Sequence, residues 1–310
     1  MIAFVLSGGS IKGAFQAGAI QAVLEKNLYP EFLYGISVGS LNSTFLNHEA
    51  GRQGVPFGQL DWKSISDSLI GFWTGKVTQP SDLIAKRKFI PLAFSILKGK
   101  FNGVTDTQPL RDLVKSSISM DQIRRSPLKQ QVGTVNFLNG EITYADPGFP
   151  DFLDWVIASA AIPVAMPAML ISNTPYFDGG LRDIAPLKPA VKSGADTIVT
   201  ILCQPEILGT SSFSYQNAIQ LLERMTDIMC NEIEKNDIET FRQVNSFVPA
   251  DGSSASTGPY VGKRKIRLIV IRPEAEINVD ISSFTSDDIR KMIDLGYKTA
   301  LDQLKKQGIV

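Results

Sequence analysis

The chain has 310 residues, 44% of them hydrophobic, and sets 31 Lys and Arg against 31 Asp and Glu for a formal net charge of zero. That length suits one large α/β domain or two modest ones, and the neutral balance argues against nucleic acid as a main partner, because phosphate neutralisation needs a net basic face. Two cysteines, Cys203 and Cys230, exclude a disulfide framework or a Cys-rich zinc site, and a single histidine, His48, excludes a His-rich metal centre.

In chain order, residues 2–6 read as an apolar strand, 7–13 as a Gly-rich turn, and 14–26 as a helix in which Ala17, Ile20, Val23 and Leu24 keep a helical period. The opening residues lack the basic region of a secretory signal and their apolar run is too short for one. A buried first strand and a cytoplasmic location are the expectation. A strand at 32–36 and a helix from 38 to about 48 repeat the unit, which argues a parallel sheet with helices on its faces. A further helix is expected at 61–74, with Trp62, Ile65, Leu69 and Trp73 on one side; the rest of 50–125 carries little periodic signal.

Residues 83–105 differ in kind. They hold Lys86, Arg87, Lys88, Lys98 and Lys100 among large apolar side chains with no acidic residue. Such a segment is either a membrane-facing cap lying among lipid headgroups or a solvated helix covering part of the core. Strands at 132–137 and 141–145 flank Leu138-Asn139-Gly140, and Asn-Gly between strands signals a hairpin. A helix at 151–162, extended structure at 169–177, a buried strand at 196–203, a helix from 215 to about 244, a strand at 266–271 and a closing helix at 286–306 follow. Residues 155–177 carry no charge and could span a bilayer by length, but Pro163, Pro167 and Pro175 break any continuous helix there. One strand and a few helices make a poor independent core, so residues 206–310 are expected to complete the fold of residues 1–205.

Two glycine-bearing turns could carry chemistry. Gly35-Ile36-Ser37-Val38-Gly39 fits Gly-x-Ser-x-Gly, in which small residues on either side of a nucleophilic serine let a strand reverse sharply into a helix. Gly8-Gly9-Ser10-Ile11-Lys12-Gly13 also joins a strand to a helix. It lacks the Lys-Ser or Lys-Thr that ends a phosphate-binding P-loop and the third glycine of a dinucleotide fingerprint. What remains is a turn offering consecutive backbone N–H groups to an anion, as an oxyanion hole requires. Lys12 either adds positive charge near a phosphate or caps the loop.

A serine nucleophile needs a base. His48 follows Ser37 on the same expected helix and would lie about 16 Å further along its axis, out of reach. The base must then be a carboxylate or a lysine. Asp178-Gly179-Gly180 is the best candidate: beside Tyr176 and Phe177, burial would raise the Asp178 pKa and sharpen it as a proton acceptor. A plain surface Asp-Gly-Gly turn is the competing reading.

Together these elements resemble the patatin-like phospholipase family. The matching pieces are the Gly8 to Gly13 loop, Gly35-Ile36-Ser37-Val38-Gly39, Ala158-Ser159-Ala160-Ala161-Ile162-Pro163 and Asp178-Gly179-Gly180, in the family's order, over roughly residues 2–205. The resemblance implies a three-layer α/β/α sandwich with a mostly parallel central sheet. It implies a serine acyl-ester hydrolase working on phospholipids or other acyl lipids, without a metal or organic cofactor. Ser37 would be the nucleophile, Asp178 the proton acceptor of a Ser-Asp dyad, and the backbone of Gly8, Gly9, Ser10 and Ile11 the oxyanion hole, supported by Lys12, Gly13, Gly35, Gly39, Gly179 and Gly180. Ser10 departs from the family's glycine, which touches the fit of the loop and not its donors. A lipid- or partner-binding regulator with little turnover, and an acyltransferase using the same dyad, are the alternatives; peripheral membrane contact fits each.

Overall fold

The computed structural model describes residues 1–87, 103–210 and 218–309. The chain opens with two strand-helix units, β1 (Ile2–Leu6) with α1 (Gly13–Glu25) and β2 (Phe32–Ile36) with α2 (Val38–Gln53), and continues through helix α3 (Trp62–Lys76). A small antiparallel pair, β3 (Ala85–Lys86) and β4 (Thr105–Asp106), brackets residues 88–102, so most of the expected 83–105 cap lies outside the described residues. Helices α4 (Gln108–Ser117) and α5 (Met120–Arg125) lead to β5 (Lys129–Asn136), β6 (Ile142–Ala145), α6 (Phe152–Ser159), β7 (Met169–Ile171) and β8 (Thr174–Asp178). The remainder is α7 (Leu187–Lys192), β9 (Thr197–Ile201), α8 (Ala218–Ser246), β10 (Arg267–Ile271) and α9 (Ser286–Lys306).

Eight of these strands form one sheet, in the order β10-β9-β1-β2-β5-β8-β7 with β6 paired to β5. The pairs from β10 across to β5 are parallel, and those among β5, β6, β7 and β8 are antiparallel. Alternation along β1 shows how the sequence builds two layers of core around it. Phe4 and Leu6 face a cluster with residues of α1, α2, α3 and α9, whereas Ala3 and Val5 face one with Leu187 and Ala190 of α7 and Cys230 and Ile238 of α8. Covered on both faces, β1 and β2 read as near-continuous apolar runs, as parallel strands between helix layers do. The α/β/α sandwich is the architecture observed.

Three local outcomes differ from the sequence reading. Residues 169–177 do not run as one extended piece: Ser172 and Asn173, at φ 49° and 63°, turn them into the β7–β8 hairpin, a two-residue loop with both central residues left-handed. The helix expected at 151–162 stops at Ser159, ahead of Pro163. The weakly patterned stretch before residue 125 contains α4 and α5.

Candidate active site

Ser37 stands between the end of β2 and the first residue of α2, at φ 53° and ψ −126°. A non-glycine residue there is strained, and that strain is how a strand-to-helix reversal leaves the serine hydroxyl projecting from the turn. Close packing underneath depends on Gly39, where an added Cβ would lie 2.1 Å from the Leu6 carbonyl oxygen. Helix α2 runs unbroken from Val38 to Gln53, which carries His48 away from Ser37. His48 is half-buried there, and its Nδ1 accepts the Ser119 amide at 3.2 Å.

Asp178 reaches Ser37 through β5. Strand β6 pairs with β5 over 132–135, which leaves the opposite edge to two other strands. Strand β2 follows that edge up to Gly133 and β8 takes it over from Thr134, so Ile36 and Asp178 partner consecutive residues of β5. The serine that follows β2 and the aspartate that ends β8 are thereby brought together. Asp178 is 6% exposed, which removes the surface-turn reading. Its Oδ1 accepts the Gly180 amide at 2.8 Å, and its own amide donates to the Ala161 carbonyl at 2.9 Å. Burial pushes the carboxyl up to about 6, against the hydrogen bonds from the Gly180 amide and the Ser37 hydroxyl.

One segment clamps both groups. The Ser37 amide donates to Ser159 Oγ at 2.9 Å, and Ser159 Oγ donates to the Gly133 carbonyl at 2.7 Å. Ser159 therefore ties the elbow to β5 while Ala161, two residues on, holds Asp178. Sequence reasoning matched this stretch to a family pattern without assigning it a task, because nothing in its residue types points to a hydrogen bond 122 positions away.

The Gly8 to Gly13 loop packs beside Ser37. A Cβ at Gly8 would stand 3.1 Å from Ser37 Cβ and 2.4 Å from Ile184 Cδ1. The Gly8 amide, however, donates to the Ile184 carbonyl at 3.1 Å, so Gly8 is not a free donor and leaves the set expected for an oxyanion. Gly9, Ser10 and Ile11 remain, at the start of the 3-10 turn that leads into α1; the leading N–H groups of a helix have no partner within it. Ser10 keeps its place at φ 54° with its buried Oγ unpartnered, the strain that the missing glycine would have avoided. Lys12 neither caps the loop nor stands free: its Nζ pairs with Asp227 of α8 at 3.3 Å. A buried network anchors the loop from below, with Gln16 donating to the Ser7 and Ile201 carbonyls, Asn42 to the Gly13 carbonyl and Gln16, and Trp73 to Asn42.

Ser37, Asp178 and the loop share a cavity of about 500 Å³ whose other walls are mainly apolar, among them Ile162, Met166, Leu181, Ile184 and Leu222. Among the described residues its two cations are both engaged, Lys12 with Asp227 and Arg224 with Glu276 at 2.6 Å. Cys230 also lines it, but burial pushes its thiol up, and that of Cys203 to about 12, so neither offers a thiolate near neutrality. A wider groove of about 1090 Å³ lies over Phe32 and Lys129, where β2 and β5 begin, at the far end of the sheet from Ser37. Among the described residues no group of three or more His, Cys, Asp or Glu could hold a metal ion, and no helix is long and apolar enough to cross a membrane.

A family model described as patatin-like phospholipase matches residues 4–191. Among solved structures, the crystal structure of VipD from Legionella pneumophila is similar at 14% identity and a TM-score of 0.47, in an alignment that covers 98% of this chain and 66% of that one. No curated protein matches the sequence.

Proposed function

The chain belongs to the patatin-like phospholipase family, and from that premise we propose that it hydrolyses acyl esters of lipids through Ser37 and Asp178. The observation that carries this reading is the pairing of a strained serine with a buried carboxylate at one edge of β5, inside an apolar cavity.

Asp178 takes the Ser37 hydroxyl proton as Oγ attacks the ester carbonyl carbon. The carbonyl oxygen gathers negative charge, which the amides of Gly9, Ser10 and Ile11 stabilise by donation from fixed positions. The ester bond breaks, the leaving alcohol receives the proton from Asp178, and the acyl group stays on Ser37. Water then repeats the sequence: Asp178 accepts its proton, hydroxide adds to the acyl carbon, and Ser37 leaves with the proton restored. A carboxylate can serve as base without a histidine because its environment lifts its affinity for protons toward the working pH.

A fluorophosphonate probe tests the assignment directly. It labels Ser37 in the wild type and nothing in Ser37→Ala. Turnover of p-nitrophenyl esters and of phospholipid vesicles falls by at least about a thousandfold in Ser37→Ala and Asp178→Asn. Wild-type turnover in both variants, or labelling of another serine, overturns the dyad.

A further inference from the structure

Helix α8 walls the cavity with its N-terminal half, and the same half bears an apolar stripe directed outward. Leu221, Met225, Ile228 and Met229 are 41%, 51%, 51% and 50% exposed. Their spacing of four, seven and eight residues from Leu221 puts them on one side of the helix. Met225 and Met229 also line the cavity that holds Ser37, so the stripe is continuous with the cavity wall. Two more exposed apolar residues adjoin it. Val164, at the cavity rim, is 53% exposed and held at φ 70°, a conformation that is strained for a β-branched side chain. Ile207 is 81% exposed on the chain leading toward α8, which Arg224 holds through the Gly209 carbonyl and Asn231 through the Pro205 carbonyl.

We propose that this stripe, with Val164 and Ile207, is the face that docks on a zwitterionic lipid surface and lets an acyl chain pass into the cavity without crossing water. The inference rests on the reading of the cavity as a lipid-ester site, and it goes further by naming the surface and its charge preference. Large exposed apolar side chains grouped in one place mark a contact surface, and here the group is continuous with the wall around the reacting serine. A long-chain ester is held in an aggregate, and the cost of exposing its chain on transfer falls if the cavity opens against that aggregate. Charge decides the kind of lipid. Leu221, Met225, Ile228 and Met229 bring no charge, and among the described residues the cations lining the cavity are closed onto Asp227 and Glu276. Docking through this face therefore draws on apolar burial, depends little on salt, and needs no anionic headgroup.

The experiment uses the full chain with Ser37→Ala, so that vesicles are not consumed, and phosphatidylcholine vesicles as the probe. Flotation recovers the protein with these vesicles at low and high salt alike. Leu221→Glu with Ile228→Glu reduces the recovered fraction by about tenfold or more. Neither residue lines the cavity, so the same pair of changes in a chain that keeps Ser37 leaves turnover of p-nitrophenyl butyrate in place. Leu221→Gln with Ile228→Gln gives a smaller loss in the same direction and serves if the glutamates unfold the helix. Ile228→Trp supplies an optical readout: Trp62, Trp73 and Trp155 are buried, so a blue shift of emission on adding vesicles reports the new side chain entering lipid.

Unchanged flotation of both double variants overturns the proposal. Flotation that needs anionic lipid and disappears with salt does so too, since it transfers docking to a basic segment. A wild-type dimer that the double variants dissociate, with flotation unaltered, reassigns the stripe to a contact between copies. If instead no ester is turned over by the wild type, the reading of the cavity fails while flotation and the tryptophan shift still report on the docking face.

Discussion

Asp178 carries the sharpest consequence of burial. Its carboxyl is raised from 3.8 to about 6, so the folded state binds a proton more tightly than the unfolded chain does. The stabilisation linked to that proton is complete below about pH 4 and is lost as pH rises through 6. Above pH 6 the folded protein holds a buried ionised carboxylate at a cost on the order of 3 kcal/mol relative to a solvated one. Asp178→Asn removes the charge and keeps an oxygen able to accept the Gly180 amide. It should therefore melt higher than wild type at pH 7.5, with the gain shrinking toward pH 4, while being inactive. Activity has the opposite dependence: kcat/KM on a soluble ester rises about tenfold per pH unit below 6 and levels above it, as the base form fills. Thermal unfolding and a pH-rate profile on the same preparations check both signs. A wild-type profile flat from pH 5 to 8 would remove Asp178 as the titrating base.

Among the elements, β5 and the segment after α6 do the positioning, and Ser159 is where they meet. Ser159→Ala takes the acceptor from the Ser37 amide and the donor from the Gly133 carbonyl in a fully buried place, where an unpaired polar group costs about 1–3 kcal/mol. We expect kcat to fall by about ten- to a hundredfold with KM nearly unchanged and the pH profile unmoved, because the substrate wall and Asp178 are untouched. Ser159→Thr, which can keep both hydrogen bonds, should recover part of the loss. A shifted pH profile in Ser159→Ala would mean that it acts through Asp178 instead. This element also marks the boundary of what was legible in the sequence. The β1-α1 and β2-α2 units were readable because apolar runs alternate with glycine turns, and the β5-β6 hairpin because Asn139-Gly140 permits its turn; Gly140 sits at φ 73°. The β7-β8 hairpin was not, since Ser172 and Asn173 form its left-handed turn without a glycine to announce it. Ser37 was visible through its neighbours. Its approach to Asp178 was not, because it depends on two strands sharing one edge of β5, a long-range pairing that no local pattern records. The loss of Gly8 as a donor follows from Ile184, a contact between distant turns.

For the whole molecule, the unassigned question is whether residues 206–310 fold with the rest, and the contact between α1 and α9 argues that they do. Gly18 and Gly296 let the two helices approach backbone to backbone: a Cβ on Gly18 would lie 1.9 Å from the Ile293 carbonyl oxygen, and one on Gly296 1.9 Å from that of Phe15. Strand β10 pairs with β9 along its whole length, and β9 in turn pairs with β1. Helix α1 begins at the end of the candidate oxyanion loop, so α9 braces that loop through α1 without itself lining the cavity. We propose a single folding unit on these grounds. Gly296→Ala meets main chain and not a flexible side chain, so the helices must separate, and a loss of about 2–3 kcal/mol is expected, the upper part of the range for overpacking a tight core. Alanine is otherwise the better helix former by about 1 kcal/mol, so the sign of the change reads the contact and not the propensity. If the two parts form one unit, Gly296→Ala lowers a single melting transition, followed alike by far-ultraviolet dichroism and by tryptophan emission from Trp62, Trp73 and Trp155, all within the first 205 residues. Two transitions, with only the C-terminal one displaced, would instead divide the chain at about residue 205 and leave the loop held by α1 and the Gln16, Asn42 and Trp73 network.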